Sequence, residues 1–128
     1  MAPFSNSGIV SISNLGKLQK MKDGTDYYQY VTQKWYKGFA SNCHSLRFAI
    51  LPDTLTYIGT YAFHEDDALE YVKVLVTVPP TLGSTDITAR AFPFFGTTCN
   101  FYVPDAVVND YKAASGWSAV ANRIFPMS

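Results

Sequence analysis

The clearest pattern along the chain is an alternation of apolar and other residues between positions 72 and 78. Val72, Val74, Val76 and Val78 occupy every second position of this stretch. Successive side chains of a β-strand point to opposite faces, so this spacing predicts a strand with one buried face. Pro79 follows directly, and proline cannot continue a ladder of backbone hydrogen bonds. The strand is therefore expected to end in a turn.

The same arrangement of apolar residues occurs more than once. Ile58 to Phe63 and Ile87 to Phe92 both read I-x-x-x-A-F, and further apolar segments begin at Leu46, at Leu69 and at Phe101. Each unit consists of a short strand, a proline-containing turn and a tight segment that carries an isoleucine and an Ala-Phe pair. One such unit cannot bury its own apolar side, whereas stacked units share a continuous core. The sequence therefore predicts a solenoid.

The motifs of these units resemble a known family. Residues 51–63 read L-P-D-T-L-T-x-I-G-x-x-A-F, and residues 101–124 read FYVPDAVVNDYKAASGWSAVANRI. The first resembles the BspA-like (Treponema-type) leucine-rich repeat, and the second resembles the closing segment of that family. The resemblance covers residues 38–125, with one extra residue between Phe39 and Leu46 and a stretched last repeat at 79–86. It implies an α+β, mainly β fold: a short, irregular leucine-rich-repeat solenoid.

Each end of the stack requires a cap. Residues 17–22 and 27–35 flank Asp23-Gly24, a turn signal that predicts an N-terminal β-hairpin. Pro104-Asp105 predicts the start of a helix with Asp105 as its N-cap and Gly116 near its C-cap. We therefore expect one domain over 1–128, in which 1–37 form the hairpin cap, 38–104 the leucine-rich-repeat coils and 105–128 a C-terminal helical cap.

The repeat register predicts which side chains fill the core. The shared feature of these residues is an apolar side chain at an inward position of a strand, a tight segment or the C-terminal cap. They are Leu46, Leu51, Leu55, Ile58, Phe63, Leu69, Val72, Val74, Ile87, Phe92, Val103 and Trp117.

Composition excludes several functions. The chain has 128 residues with ten Lys/Arg against ten Asp/Glu, a formal net charge of zero, and only 16% of its residues are charged. A nucleic-acid partner requires a dense basic face, so we expect none. The most apolar stretch is far shorter than a membrane span, so we expect no membrane insertion.

The residues with reactive side chains do not form a catalytic or metal-binding motif. Cys43 and His44 with His64 and Asp66 are the only conceivable metal-ligand set, but the spacing of zinc sites is missing. The acidic run at 65–67 lacks the alternation and the glycine of a calcium loop. Cys43 is expected to be a buried thiol, without a disulfide to Cys99. We expect no enzyme, no metal and no cofactor.

Aromatic side chains are the best candidates for partner binding. Exposed tyrosine and tryptophan rings supply large contact areas at low entropic cost. The candidates are Tyr27, Tyr28, Tyr30, Trp35, Tyr36, Phe94 and Phe95. The N-terminal rings could instead form the core of a thin cap, and at least one of the two phenylalanines is expected to meet solvent or a partner.

The expected function is a non-catalytic interaction module. The resemblance implies surface adhesion or recognition of a protein or glycan, as in surface-exposed proteins of anaerobic bacteria. The alternative is a structural component of a bacteriophage virion, such as a capsid decoration, head fibre or tail-fibre tip, with copies of the chain as neighbours. We expect an extracellular or cell-surface location if the chain is a fragment of an exported protein, and a virion location if Met1 is the native start.

Overall fold

The described chain consists of short strands joined by tight turns. This computed structural model describes residues 10–13, 15–24, 27–29, 34–36, 39–40 and 43–127. Within these residues the strands, in chain order, are β1 (Ser11–Ile12), β2 (Lys20–Met21), β3 (Tyr27–Gln29), β4 (Lys34–Tyr36), β5 (Phe48–Leu51), β6 (Tyr57–Ile58), β7 (Tyr71–Val74), β8 (Thr81–Leu82), β9 (Asn100–Val103) and β10 (Ile124–Pro126).

Most of the strands are parallel and lie in two sheets. The large sheet has the order β1-β5-β7-β9-β10, and the small sheet has the order β2-β6-β8. All neighbours within these two sheets are parallel, whereas β3 and β4 form an antiparallel pair of their own. The fold is thus α+β, with mostly parallel strands in two sheets and short helices.

The pairing of β5 with β7 matches the spacing found in the sequence. Phe48 pairs with Tyr71, an offset of 23 positions (71 − 48), which is also the spacing from Leu46 to Leu69. Tyr71 pairs with Asn100, an offset of 29 positions (100 − 71). The larger offset accommodates the stretched segment between the two strands.

The segments after the small sheet also pair along the stack. The backbone N–H groups of Tyr61, Phe63 and Glu65 donate to the carbonyl oxygens of Ala91, Pro93 and Phe95, at 3.0, 2.6 and 2.7 Å. Consecutive units are therefore held together by backbone hydrogen bonds on a third side as well. These ladders pair backbone groups that would otherwise be buried without partners.

The prediction for the N-terminal hairpin is wrong in its position. Lys20–Met21 pairs in parallel with Tyr57–Ile58, so this segment extends the small sheet. The antiparallel pair lies one element later, where Tyr27 is opposite Tyr36. Asp23-Gly24 does not form the predicted hairpin turn but links this segment to the next unit. The Asp23 carboxylate accepts a hydrogen bond from the Thr60 N–H at 3.0 Å.

Gly59 permits the close approach of the first two units. A Cβ atom at this position would lie 2.2 Å from the carbonyl oxygen of Lys22, which is far inside contact distance. The Gly24 N–H donates to the Thr60 carbonyl oxygen at 2.8 Å just beyond this point. The glycine of the I-G motif is thus required by the backbone that crosses next to it.

The core contains most of the residues predicted for it. The following are at most 2% exposed: Leu46, Leu51, Leu55, Ile58, Phe63, Leu69, Val72, Val74, Phe92, Val103 and Trp117. Ile87 is 39% exposed, so its predicted core position is wrong. Leu82 pairs with Ile58 instead and is buried. The extra residues of the last repeat lie between Leu82 and Phe92, and Ile87 is among them.

The C-terminal segment packs its aromatic rings on the stack. It contains a 3-10 helix (Asp105–Val107), the α-helix α1 (Val108–Ala113) and a kinked 3-10 segment (Trp117–Arg123). The Tyr111 hydroxyl donates to the Val76 carbonyl oxygen at 2.7 Å, and the Trp117 indole N–H donates to that of Pro80 at 2.8 Å. Both rings are buried with their polar groups paired.

The predicted helix caps differ from those observed. Pro104, not Asp105, occupies the N-cap position of the first 3-10 helix. Ala114 is the C-cap of α1, and Gly116, with a φ of 81°, precedes the second 3-10 segment. In the described part of the chain, no helix has both the length and the apolar character needed to cross a membrane.

Candidate functional site

The outward-facing side of the large sheet is the most distinctive surface of the described chain. Its three central strands, β5, β7 and β9, alternate strictly, so that residues on either side of a buried residue point outward. The pairing register arranges the outward residues in two rows across the sheet. The first row is Ser11, Phe48, Tyr71 and Asn100, and the second is Ile50, Lys73, Tyr102 and Phe125. We call these two rows the outer face.

Four aromatic rings run diagonally across the outer face. Phe48 stacks on Tyr71 with centroids 5.3 Å apart and planes inclined by 6°. Tyr71 meets Tyr102 edge to face at 6.0 Å, and Tyr102 contacts Phe125 at 6.1 Å. We call these residues the aromatic stripe. Contiguous exposed apolar surface of this kind marks interaction sites more often than isolated exposed residues do.

The stripe is accessible along its length. Phe48, Tyr71 and Tyr102 are half-buried, and Phe125 is 41% exposed. Leu75, which follows β7 on the same side, is 39% exposed. Phe48, Tyr71 and Tyr102 stand on strands whose inward residues are buried, and Phe125 follows buried Ile124. The rings therefore sit on a rigid base that does not have to be ordered when a partner binds.

Lys73 brings a positive charge into the middle of the stripe. It lies between Ile50 and Tyr102 in the second row, and its Nζ is 5.9 Å from the centroid of the Tyr71 ring. That geometry is a cation–π contact. Among the described residues, the contacts between basic and acidic side chains are Arg47–Glu70, His44–Asp67 and His64–Glu65, so no carboxylate pairs with Lys73.

One end of the outer face is electrically neutral. Arg47 and Glu70 directly precede Phe48 and Tyr71, and the Arg47 Nε–H donates to the Glu70 carboxylate at 2.7 Å. Both side chains are more than half exposed. Such a pair contributes little to stability in water. The pair nevertheless affects the charge of the outer face. Arg47 and Glu70 neutralise each other, so Lys73 is the one charge there that no described carboxylate compensates.

Two shallow depressions adjoin the outer face at the carboxyl ends of its strands. The first, of about 300 Å³, includes Ile50, Leu75 and Asp53 in its lining. The second, of about 320 Å³, is lined by Asp53, Val76 and Val78 among others. Both are open, and they continue the apolar surface around the edge of the sheet. Val78 is 72% exposed there.

The aromatic residues predicted for partner binding in the N-terminal part are placed only by their backbone. Tyr27 and Tyr28 lie in β3 opposite Tyr36 and Trp35 in β4. Tyr30 falls outside the described residues. The binding role of these five residues remains a prediction.

Phe94 was predicted to bind a partner, and this prediction is wrong. Its side chain is buried, with 2% exposure. The ring stacks on Phe63 at 5.2 Å with planes inclined by 5° and meets Phe101 edge to face at 4.8 Å. It therefore fills the space between Phe63 of one unit and Phe101 of β9. Phe95 is half-buried and stacks on the His64 ring at 5.2 Å.

Some residues of the acidic run and one of the two histidines lie on the surface, and the others are buried. His44 and Asp67 are exposed and lie 3.1 Å apart, which lowers the pKa of Asp67. His64 is fully buried, with its Nδ1 2.9 Å from the Arg90 carbonyl oxygen. Among the described residues, no group of three or more His, Cys, Asp or Glu side chains could hold a metal ion.

Asp66 is a buried carboxyl group between two units. Its Oδ1 accepts a hydrogen bond from the Cys43 N–H at 2.7 Å, while its Oδ2 is buried without a hydrogen-bond partner in the described chain. Burial raises its pKa to about 8, the Cys43 N–H opposes this rise, and the charge of Asp67 adds to it. Asp66 thus joins two loops and holds a proton near neutral pH.

Sequence reasoning missed all four residues of the aromatic stripe. The repeat pattern is defined by its inward residues, so it gives no weight to outward positions such as Phe48 and Tyr102. The signal was nevertheless available: an aromatic residue occupies the outward position next to buried Ala49, Val72 and Phe101. Outward positions of a regular strand are free of packing demands, so rings that recur there indicate a binding surface.

Comparison with models of protein families finds no match to the chain, and comparison with curated proteins finds none either.

Proposed function

We propose that this chain is a short leucine-rich-repeat solenoid of the BspA-like type that binds another macromolecule, without catalysis, through its outer face. The observation that carries the proposal is the aromatic stripe: four rings that contact one another in succession, run diagonally across a parallel sheet and are all at least partly exposed. The proposal assigns the adhesion role implied by the sequence resemblance to these four residues.

The stacking of the strands supports the solenoid part of the proposal. Strands β5, β7 and β9 follow one another in the large sheet in the order in which they occur in the chain, with β6 and β8 in the small sheet between them. Each unit contributes inward side chains to one shared core. In such a stack the outward residues of neighbouring units form a continuous surface.

The composition of the stripe supports a recognition function. Tyrosine and phenylalanine lose little side-chain entropy on binding and bury much area, which is why such rings concentrate at binding hot spots. Here the rings are also held by each other. The sheet therefore presents a pre-organised surface, which lowers the cost of association.

The proposal is tested by measuring binding with and without the stripe. The probes are a phage-displayed library of random dodecapeptides and a set of insoluble polysaccharides (cellulose, chitin, mannan and starch), each presented to the wild-type chain. We expect ligands whose binding is lost in a Tyr71→Ser/Tyr102→Ser double variant. Ile87→Ser, which removes an exposed apolar side chain that is not on the outer face, is the matched control and should bind as the wild type does.

Retention of binding in the double variant would overturn the assignment of the outer face. Solution mass by light scattering checks the other role considered for this sequence. A closed oligomer that dissociates in the double variant would show that the stripe joins copies of the chain. That outcome would replace foreign-partner binding by a structural role in an assembly such as a virion.

A further inference from the structure

We infer that the partner of the outer face is a protein segment that places a carboxylate against Lys73 and apolar side chains on the rings beside it. The inference rests on the proposed function and specifies the chemistry of the partner. It depends on three features of the surface: the orientation of the rings, the uncompensated charge of Lys73 and the absence of acidic groups from the outer face.

The rings of the stripe cover one another. The planes of Phe48 and Tyr71 are inclined by only 6° at 5.3 Å, so each ring occupies a face of the other. The Lys73 ammonium group also lies over the Tyr71 ring, at 5.9 Å from its centroid. A sugar binds aromatic residues by laying its C–H groups on an open ring face. Phe48 and Tyr71 each have one ring face covered by the other, so the stripe suits the side chains of a protein better than it suits the stacking of a sugar ring.

Lys73 determines the charge that the partner must supply. A molecule that covers Tyr71 and Tyr102 also meets Lys73, since Lys73 lies two residues after Tyr71 on β7 and pairs directly with Tyr102 on β9. Removal of an ammonium group from water is costly unless an opposite charge and hydrogen bonds replace the water. A carboxylate provides both, and it discriminates against partners that lack one.

A second copy of the chain does not meet this requirement face to face. The outer face consists of Ser11, Phe48, Ile50, Tyr71, Lys73, Asn100, Tyr102 and Phe125. None of these residues is acidic, and Glu70 at the margin already pairs with Arg47. Two outer faces in contact would bury two lysines without a carboxylate from either face. The outer face is therefore not complementary to itself, and its charge suits a foreign segment that is acidic and apolar.

The experiment begins with dodecapeptides selected on the wild-type chain. Peptides that enrich should carry Asp or Glu flanked by apolar residues. For a synthetic peptide of this type, Lys73→Glu should weaken binding at least about tenfold, and Lys73→Gln should weaken it less. A peptide in which Lys replaces the acidic residue should then bind Lys73→Glu better than it binds the wild type. Near-wild-type melting of both variants verifies that the fold is intact.

The outcomes separate this inference from the proposed function. Stripe-dependent binding to a polysaccharide, with no peptide enriched, would overturn the inference and leave the binding function in place. Peptides that require Tyr71 and Tyr102 but bind Lys73→Glu unchanged would also overturn it. If every probe bound the Tyr71→Ser/Tyr102→Ser double variant as well as it binds the wild type, both the proposed function and this inference would be overturned.

Discussion

The two sides of the large sheet are built from the same strands but follow different rules. On the inner side, β7 contributes Val72 and Val74, which are completely buried. On the outer side, the same strand contributes Tyr71 and Lys73, one half-buried and the other exposed. The size and shape of the inner side chains are constrained, because protein interiors are close-packed and both cavities and overlaps are destabilising. The outer side chains have no such constraint.

This contrast separates stability from recognition within one element. A core of apolar residues explains why the sheet folds, but it does not explain why large rings stand on the solvent side. An aromatic ring that is half exposed contributes only part of its area to folding. The rest of that area is available to a partner. The comparison predicts that inner substitutions lower stability and that outer substitutions lower binding.

The sharpest test of the contrast uses two neighbouring rings of β9. Phe101→Ala should destabilise the protein by about 3–5 kcal/mol, the usual cost of removing a buried ring. Phe101 is fully buried and meets Trp117 edge to face at 5.4 Å. Tyr102→Ala removes a half-buried ring and should cost about 1 kcal/mol or less. Urea unfolding followed by circular dichroism measures both.

Equal losses for the two variants would contradict the division into inner and outer sides. The same urea curves also check the fold, because a change in the denaturant slope would indicate altered compactness and not a simple loss of packing.

The second prediction tests which residue of the last repeat continues the small sheet. Leu82 is 4% exposed and Ile87 is 39% exposed. Leu82→Ala should therefore cost about 2–5 kcal/mol. Ile87→Ala should stay within about 0.5 kcal/mol of the wild type, as is usual for exposed positions. A larger loss for Ile87→Ala than for Leu82→Ala would restore the register read from the sequence.

Ile87 shows how far sequence patterns reach. The I-x-x-x-A-F motif brings its two Ala-Phe pairs to neighbouring segments but not into register, since the Phe63 N–H donates to the Pro93 carbonyl oxygen and the Phe63 ring stacks on Phe94. It misplaced the isoleucine because the small sheet advances by 24 positions from Ile58 to Leu82. The segment that contains Phe63 advances by 30 positions, from Phe63 to its hydrogen-bond partner Pro93 (93 − 63). The sequence motif does not show at which position of the last repeat the extra residues are inserted.

The sequence pattern does not predict the N-terminal strands β1 and β2, for a different reason. β1 and β2 have two residues each, and each buries one side chain, Ile12 and Met21. Two residues carry no periodicity. Their strand conformation comes from pairing with β5 and β6. Tertiary contacts therefore decide these elements, and a local turn signal such as Asp23-Gly24 is compatible with either outcome.

The third prediction concerns pH. The pKa of Asp66 rises from an ordinary 3.8 to about 8 in the folded chain, mainly because the carboxyl group is buried. The folded state thus binds this proton more tightly than the unfolded state does. The resulting stabilisation is complete below about pH 4 and is lost as the pH rises to about 8. Asp66→Asn, which cannot titrate, should remove this decline from the pH profile of the free energy of unfolding.

Asp67→Asn is the matched control for this measurement. Asp67 is the next residue, is exposed and has a lowered pKa because of His44. A lowered pKa gives stability that disappears as the pH falls, which is the opposite sign. The Asp67→Asn variant should therefore keep the decline between pH 4 and 8. If Asp66→Asn keeps it as well, the carboxyl of Asp66 is not the group responsible.

The smallest expected effect lies within the aromatic stripe and defines how far the outer face contributes to folding. Phe48→Ala, Tyr71→Ala and the double variant form a double-mutant cycle. Stacked rings have coupling energies of about 0.5–1.5 kcal/mol beyond the area they bury. We expect a value in this range from urea unfolding, because the two rings are nearly parallel at 5.3 Å. A zero coupling energy would mean that the rings do not hold each other in place. The faces of Phe48 and Tyr71 would then be accessible to a sugar.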